Sequence, residues 1–229
     1  MNVFSIRTGL AALAISASAA SYGAPLVNNL PNQAYGTNMS FAQVADNFTI
    51  AGTGTYSITS IDFWSLQLTP GDYRGSVSWT IFNAEPGGSI GTTHSAGVAS
   101  LSLPSAGGGP FFGYTEYEFN IPVAINLTAG DGYWLALHNG SLTLDIDATE
   151  MLWEWSATGD APVGRYNDLG DNLDPGWIDT DSQHAFRLIG TRDGDPPPPP
   201  NDVPEPSTLA LLFGALAVAT RLRRPSHKV

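Results

Sequence analysis

The chain of 229 residues contains no cysteine. This absence excludes a disulfide framework, a thiolate metal site and a cysteine nucleophile. It also removes the usual sequence evidence for the redox compartment, so the location of the protein has to be inferred from its targeting segments.

Basic residues are scarce through most of the chain. All 21 acidic residues lie between Asp46 and Glu205, and the same interval holds four arginines and no lysine. Nucleic acid is therefore not an expected partner, because its phosphates are bound mainly by lysine and arginine. Such acidity is typical of an exported domain that is kept soluble by its charge. The alternative is a surface that gathers cations.

Long apolar runs are also missing, since no stretch reaches the roughly 18 apolar residues that mark a typical membrane-spanning helix. The N-terminal apolar segment is short and predicts a signal peptide over residues 1–20. Arg7 supplies the positive charge, residues 9–15 supply the apolar segment, and Ser18 and Ala20 are the small residues that signal peptidase requires before its cleavage site.

The C-terminal residues 203–229 have three parts in a fixed order. A short motif comes first, and it consists of Val203, Pro204, Glu205 and Pro206. Residues 207–220 follow and predict a single transmembrane helix of about 20 Å, which spans a bilayer only with help from its flanks. A basic tail comes last and includes Arg221, Arg223 and Arg224. The positive-inside rule keeps this tail in the cytoplasm and leaves the acidic part of the chain outside.

This order of motif, apolar helix and arginine cluster resembles the PEP-CTERM sorting signal of Gram-negative, biofilm-forming bacteria. The resemblance implies that an exosortase recognises Pro204, Glu205 and Pro206, removes the tail, and releases the protein or attaches it at the cell surface. The precursor would then be anchored only transiently in the inner membrane. A plain C-terminal membrane anchor is the alternative.

Residues 25–192, here called the ectodomain, show a period of two in their apolar residues, with turn residues every 8 to 12 positions. This pattern predicts an all-β fold, an antiparallel β-sandwich of jelly-roll type. We expect Val77, Trp79 and Ile81 to lie in its core. The segment around Trp79, together with residues 44–50 and 185–190, resembles other PEP-CTERM ectodomains of this size. Residues 193–202 contain five consecutive prolines and predict a stiff polyproline linker.

The ectodomain has no recognisable catalytic motif, so we expect no enzymatic activity. Glu116 and Glu118 are two positions apart on one predicted strand, with Tyr117 and Phe119 pointing inward, and we expect both glutamates to face solvent. The same spacing is near the separation of the two acids in inverting glycosidases, which leaves a catalytic pair as the alternative. The histidines of the ectodomain are too dispersed in sequence to predict a zinc site.

One acidic segment predicts a binding site. Its oxygen-bearing side chains are typical of calcium ligands, and they are Asp168, Asp171, Asn172 and Asp174. The aromatic residues Tyr166 and Trp177 flank the segment and are suited to packing against a sugar ring. We therefore hypothesise a calcium-supported glycan site, with a solvated acidic loop as the alternative. Trp153 and Trp155 share one strand face and are expected to pack in the core.

Together these features predict an exported surface or biofilm-matrix protein whose sandwich binds, or embeds in, extracellular polysaccharide. Its partners during export are signal peptidase and exosortase. The alternatives are a secreted carbohydrate-active enzyme, which requires converging acids, and an adhesin or structural filler without a ligand.

Overall fold

The computed structural model of the protein describes residues 25–142, 150–157, 164–169, 176–180 and 182–194. Gly23–Pro196 forms one compact unit. The signal peptide, most of the proline linker, the sorting motif, the apolar segment and the basic tail lie outside the described residues. In the part of the chain that is described, no helix is long and apolar enough to cross a membrane.

The described residues form thirteen β-strands and one short 3-10 helix, Pro70–Asp72. The first seven strands are β1 (Pro25–Asn29), β2 (Pro31–Asn38), β3 (Ala42–Thr49), β4 (Thr55–Gln67), β5 (Ser76–Ala84), β6 (Ile90–Ser100) and β7 (Ala106–Phe111). The others are β8 (Tyr114–Thr128), β9 (Gly132–Asn139), β10 (Met151–Ser156), β11 (Arg165–Asp168), β12 (Ile178–Asp179) and β13 (Phe186–Arg192).

The first sheet is organised around the long strand β4. One edge of β4 pairs with β8, which in turn pairs with β7. The other edge of β4 is long enough to pair with two strands, β13 along residues 56–63 and β10 along residues 65–67. β1 pairs with β13 and β2 pairs with β10, so β2 forms an edge of this sheet.

The second sheet has six strands in the order β12-β11-β3-β9-β5-β6. All strand pairs in both sheets are antiparallel. The predicted antiparallel β-sandwich is therefore confirmed. The strands β11 and β12 form one edge of the second sheet, and this edge supplies part of the site described below.

The core lies between the sheets and is rich in aromatic rings. Phe63 of β4 stacks on Phe119 of β8 with ring centroids 5.0 Å apart, and Phe48 of β3 contacts Phe186 of β13 at 5.8 Å. Tyr117 is buried beside Phe119, as the alternation of β8 predicts. Because offset and edge-to-face rings pack favourably, these contacts stabilise the sandwich beyond the area they bury.

The prediction for β5 is confirmed in part. Val77 and Ile81 are buried in the core, whereas Trp79 is only half-buried and packs against it. The neighbouring strand leaves room for this ring at Gly97, where a Cβ atom would lie 2.7 Å from Cζ2 of Trp79. A larger residue at position 97 would therefore displace the indole.

Candidate functional site

A groove of about 420 Å³ opens between the β2 edge of the first sheet and the β11–β12 edge of the second. Its lining residues come from β2, β10, β11, β12 and the adjoining chain. They are Tyr35, Gly36, Thr37, Asn38, Glu150, Leu152, Trp155, Tyr166, Asp179 and Thr180. The groove combines aromatic rings with hydroxyl, amide and carboxylate groups, which is the usual composition of a small-molecule or carbohydrate site.

Two aromatic side chains form the β2–β10 wall. Tyr35 is 47% exposed, although it is a large ring on a strand. It meets Trp155 edge to face, with ring centroids 5.3 Å apart and planes at 60°. Tyr166 is half-buried on β11 and packs against the main core. The rings are therefore held by packing while part of their surface stays open to the groove.

A hydrogen-bonded chain beneath the groove holds Trp155 in place. Nε1–H of Trp155 donates to Oγ1 of Thr37 at 3.1 Å. Oγ1 of Thr37 also lies 2.8 Å from Nε2 of His184. Because an indole nitrogen only donates, the hydroxyl oxygen accepts from Trp155, and the hydroxyl proton is available for His184.

The other ring nitrogen of His184, Nδ1, faces a buried carboxylate. Nδ1 of His184 is 3.6 Å from Oδ2 of Asp46, which is longer than a hydrogen bond, and both side chains are 0% exposed. Oδ2 of Asp46 also accepts a hydrogen bond from the backbone N–H of His184. Burial raises the pKa of Asp46, and the contacts with His184 partly oppose this rise. The pair thus places a carboxylate, an imidazole and a hydroxyl in a line that ends at the groove.

Close packing fixes the imidazole of His184. Trp153 lies against it with ring centroids 4.8 Å apart, and Nε1–H of Trp153 donates to the carbonyl of Ala185 at 2.8 Å. On the other side, a Cβ atom at Gly164 would lie 2.6 Å from Cε1 and Nδ1 of His184. Glycine is required at position 164 because the backbone touches the ring.

The expectation that Trp153 and Trp155 both pack in the core is correct for Trp153, which is 0% exposed, and wrong for Trp155. Trp155 is half-buried and lines the groove. The register of β10 against β2 shifts between Glu154 and Ser156. This irregularity places Trp155 at the sandwich edge, where the space between the sheets opens.

The expectation that Glu116 and Glu118 both face solvent is wrong for Glu116. Glu118 is exposed and pairs with Arg187, but Glu116 is only 7% exposed and Glu154, from β10, is 0% exposed. The side chains of Glu116 and Glu154 face each other closely enough to interact. A hydrogen bond between two carboxyl groups requires a proton on one of them.

The environment of this carboxyl pair favours the shared proton. Burial, with Glu116 as the second cause, raises the pKa of Glu154 to about 8, and burial also raises the pKa of Glu116. Oε1 of Glu154 accepts the backbone N–H of Gln33 at 2.7 Å. Gln33 holds this position with a φ of 58°, a left-handed conformation uncommon for a non-glycine residue.

The residues predicted to bind calcium and glycan fall partly on the described chain. Tyr166 lines the groove. Trp177 packs elsewhere, against Phe82 with ring centroids 5.9 Å apart. Asp168 ends β11, while Asp171, Asn172 and Asp174 lie outside the described residues. In the described ranges, no three metal-ligating side chains are grouped for an ion, and the calcium hypothesis stays a prediction.

Comparison with known protein families identifies the C-terminal segment. Residues 202–224 match the family model described as the PEP-CTERM protein-sorting motif. The chain carries a PEP-CTERM sorting signal. The match includes Val203, Pro204, Glu205 and Pro206 together with the arginines at 221, 223 and 224. The resemblance to a PEP-CTERM sorting signal, inferred from these residues, is therefore confirmed. No curated protein matches the chain.

The PEP-CTERM signal has a direct consequence for the ectodomain. A protein with this signal is exported, processed by exosortase at the membrane and sorted to the surface. The groove of the exported protein therefore lies outside the cytoplasm.

The hydroxyl of Thr37 should be necessary for the order of the groove. Thr37→Val keeps the shape of the side chain but leaves Nε1 of Trp155 and Nε2 of His184 without a partner. We expect unfolding free energy to fall by about 1–3 kcal/mol, the usual cost of an unpaired buried polar group. Thr37→Ser is the matched control because it retains the hydroxyl. Equal urea midpoints for the two variants would contradict the proposed hydrogen-bonded chain.

The carboxyl pair should make stability fall as pH rises. With a folded-state pKa of about 8 against an ordinary value of 4.5, Glu154 binds more proton in the folded state between those values, so unfolding free energy declines across that window. Glu154→Gln should lower this slope, because its amide donates to Glu116 without titrating. Unfolding curves from about pH 5 to pH 9 measure both proteins, and parallel slopes would show that the pair does not titrate in this way.

Proposed function

We propose that the ectodomain binds extracellular polysaccharide in the groove once the PEP-CTERM signal has delivered the protein to the surface or biofilm matrix of a Gram-negative bacterium. The observation that carries this proposal is the exposed ring of Tyr35, held against Trp155 at the mouth of the groove. Aromatic rings that line a groove together with a few polar groups are the usual composition of a ligand site.

The chemistry of a sugar fits the two kinds of groups in the groove. The C–H faces of a pyranose pack on aromatic rings, and Tyr35, Trp155 and Tyr166 supply such rings. The sugar hydroxyls require hydrogen-bond partners, which Asn38 and Thr180 offer. A site with both features holds a sugar ring by apolar contact and fixes its orientation by polar contact.

The dimensions of the groove also support a chain-like ligand. Its volume of about 420 Å³ lies in the range of small-ligand sites. It lies between two sheet edges at the surface, so a segment of a polymer can reach it from solvent. Binding of a short segment within a long chain would let many copies of the protein bind one polysaccharide strand.

Rigid support for the groove reduces the entropic cost of binding. Trp155 is held through Thr37 and His184 by a carboxylate in the core, so its ring orientation is set before a ligand arrives. Ordering a free aromatic side chain on binding would instead cost part of the affinity. This arrangement supports a role in binding that needs no covalent step.

Substitution of the exposed ring tests the proposal. Tyr35→Ala and Trp155→Ala should each weaken binding of exopolysaccharide from the producing bacterium at least tenfold, which is about 1.4 kcal/mol. Phe112→Ala is the matched control, because Phe112 is an 88% exposed ring outside the groove. Calorimetric titration of surface-extracted protein measures the affinities of the wild-type protein and the three variants. Equal affinities for Tyr35→Ala and Phe112→Ala would rule out the groove as the binding site.

An assay for cleavage of the same exopolysaccharide separates binding from catalysis. A carbohydrate-active enzyme requires two converging acids, and the contact between Glu116 and Glu154 is the observation that favours one. Both side chains are buried, which limits access by a substrate. We expect no release of reducing ends from the exopolysaccharide. Release that Glu154→Gln abolishes would replace the binding proposal with the enzyme.

A further inference from the structure

We propose that the groove selects polysaccharides that carry amino groups over those that carry carboxylates. This inference rests on the proposed function, because it names the class of sugar that the same groove holds. It follows from the charges and rings that surround the groove.

The first observation is the sign of the charge on the groove wall. Among the described residues that line it, Glu150 and Asp179 carry carboxylates and none is lysine or arginine. A carboxylated sugar in this groove would have no cationic partner and would meet two like charges. An ammonium group would meet two opposite charges within one site, and like-charge contacts of this kind discriminate between ligands as strongly as attractive ones.

The two carboxylates differ in how much charge they leave for a ligand. Asp179 pairs with Nε of Arg165 at 2.8 Å, so its charge is partly compensated. The guanidinium of Arg165 lies 5.1 Å from the centre of the Trp134 ring and is not part of the groove wall. Glu150 lies beside the phenol of Tyr114, a neutral group that supplies no compensating positive charge. Glu150 is thus the stronger attractor.

Tyr114 remains a neutral donor at ordinary pH. Burial, followed by the contact with Glu150, raises the pKa of its phenol above the usual value. The phenol of Tyr114 therefore adds no charge of its own beside the Glu150 carboxylate. A charged donor such as arginine at this position would have cancelled the attraction for an amine.

The aromatic rings act in the same direction. An ammonium group placed over the face of a tyrosine or tryptophan is attracted by the ring quadrupole. Tyr35, Trp155 and Tyr166 line the groove that contains the carboxylates, so a cationic sugar gains from both. A carboxylated sugar is repelled by both, because the faces of these rings are electron-rich.

The charge of the whole ectodomain extends this preference to the approach of the polymer. Residues 25–192 contain 17 acidic residues, four arginines and no lysine. Such a field slows the approach of polyanions and speeds that of polycations, and salt weakens it. A polymer of amino sugars is therefore favoured both during encounter and in the groove.

Three hexasaccharides test the inference: a hexamer of glucosamine, a hexamer of N-acetylglucosamine and a hexamer of galacturonic acid. They are titrated into surface-extracted protein at about pH 6, where carboxylates of ordinary pKa are ionised. We expect the glucosamine hexamer to bind about fivefold more tightly than the N-acetylglucosamine hexamer and the galacturonic acid hexamer to bind most weakly. The first ratio should shrink as salt is raised, because the attraction is electrostatic.

Glu150→Gln identifies the group responsible. This variant should reduce the preference for the glucosamine hexamer over the N-acetylated hexamer by about threefold, in line with the strength of single surface charge contacts. Glu85→Gln is the matched control, because Glu85 is exposed at the end of β5, outside the groove. It should leave every affinity unchanged.

Each contrary result has a distinct meaning. Equal binding of the glucosamine and N-acetylated hexamers, with Tyr35→Ala weakening both, would overturn the charge selection and leave the polysaccharide groove in place. Stronger binding of the galacturonic acid hexamer, or no binding of the glucosamine hexamer, would also overturn the selection. If Tyr35→Ala changed the affinity for none of the three hexamers, the groove would not be the binding site.

Discussion

The groove depends on one buried interaction, the approach of Asp46 to His184 inside the sandwich. A lone carboxylate in that position would cost several kcal/mol of desolvation, so its partner has to be held close. The backbone N–H and ring of His184 meet this need together. The same ring then orients Thr37, and Thr37 orients Trp155. The need to pair the buried Asp46 carboxylate thus fixes the position of Trp155 in the groove.

The acidic residues of the chain lie in different environments. Glu116 and Glu154 are buried, and burial raises the pKa of both, which disfavours two negative charges side by side in the interior. Glu150 and Asp179 stay at the groove and give it a negative wall. Sorting by the PEP-CTERM signal places these carboxylates outside the cell. The acidic residues are thus divided between the interior, the groove and the remaining surface, and the proposed ligand preference rests on those at the groove.

The fold could be predicted from sequence because strand faces follow local alternation, as Tyr117 and Phe119 show. The sorting signal could also be predicted, since its motif is contiguous. The groove could not, because Thr37 and His184 are 147 positions apart. One local signal existed: Asp46 shares its strand face with core residues and so required a buried partner. Burial of Glu116 had no such signal, because its partner Glu154 belongs to another strand.

The central claim is that sugar binds beside Trp155. The indole N–H signal of Trp155 in a nitrogen-15 NMR spectrum reports on this directly, because that group lies in the groove and donates to Thr37. During titration with the producing bacterium's exopolysaccharide, cut to short oligomers, the Trp155 signal should shift progressively, while that of Trp177, outside the groove, should stay fixed. A Trp155 signal that remains unchanged while the oligomers bind, or a shift confined to Trp177, would contradict the account.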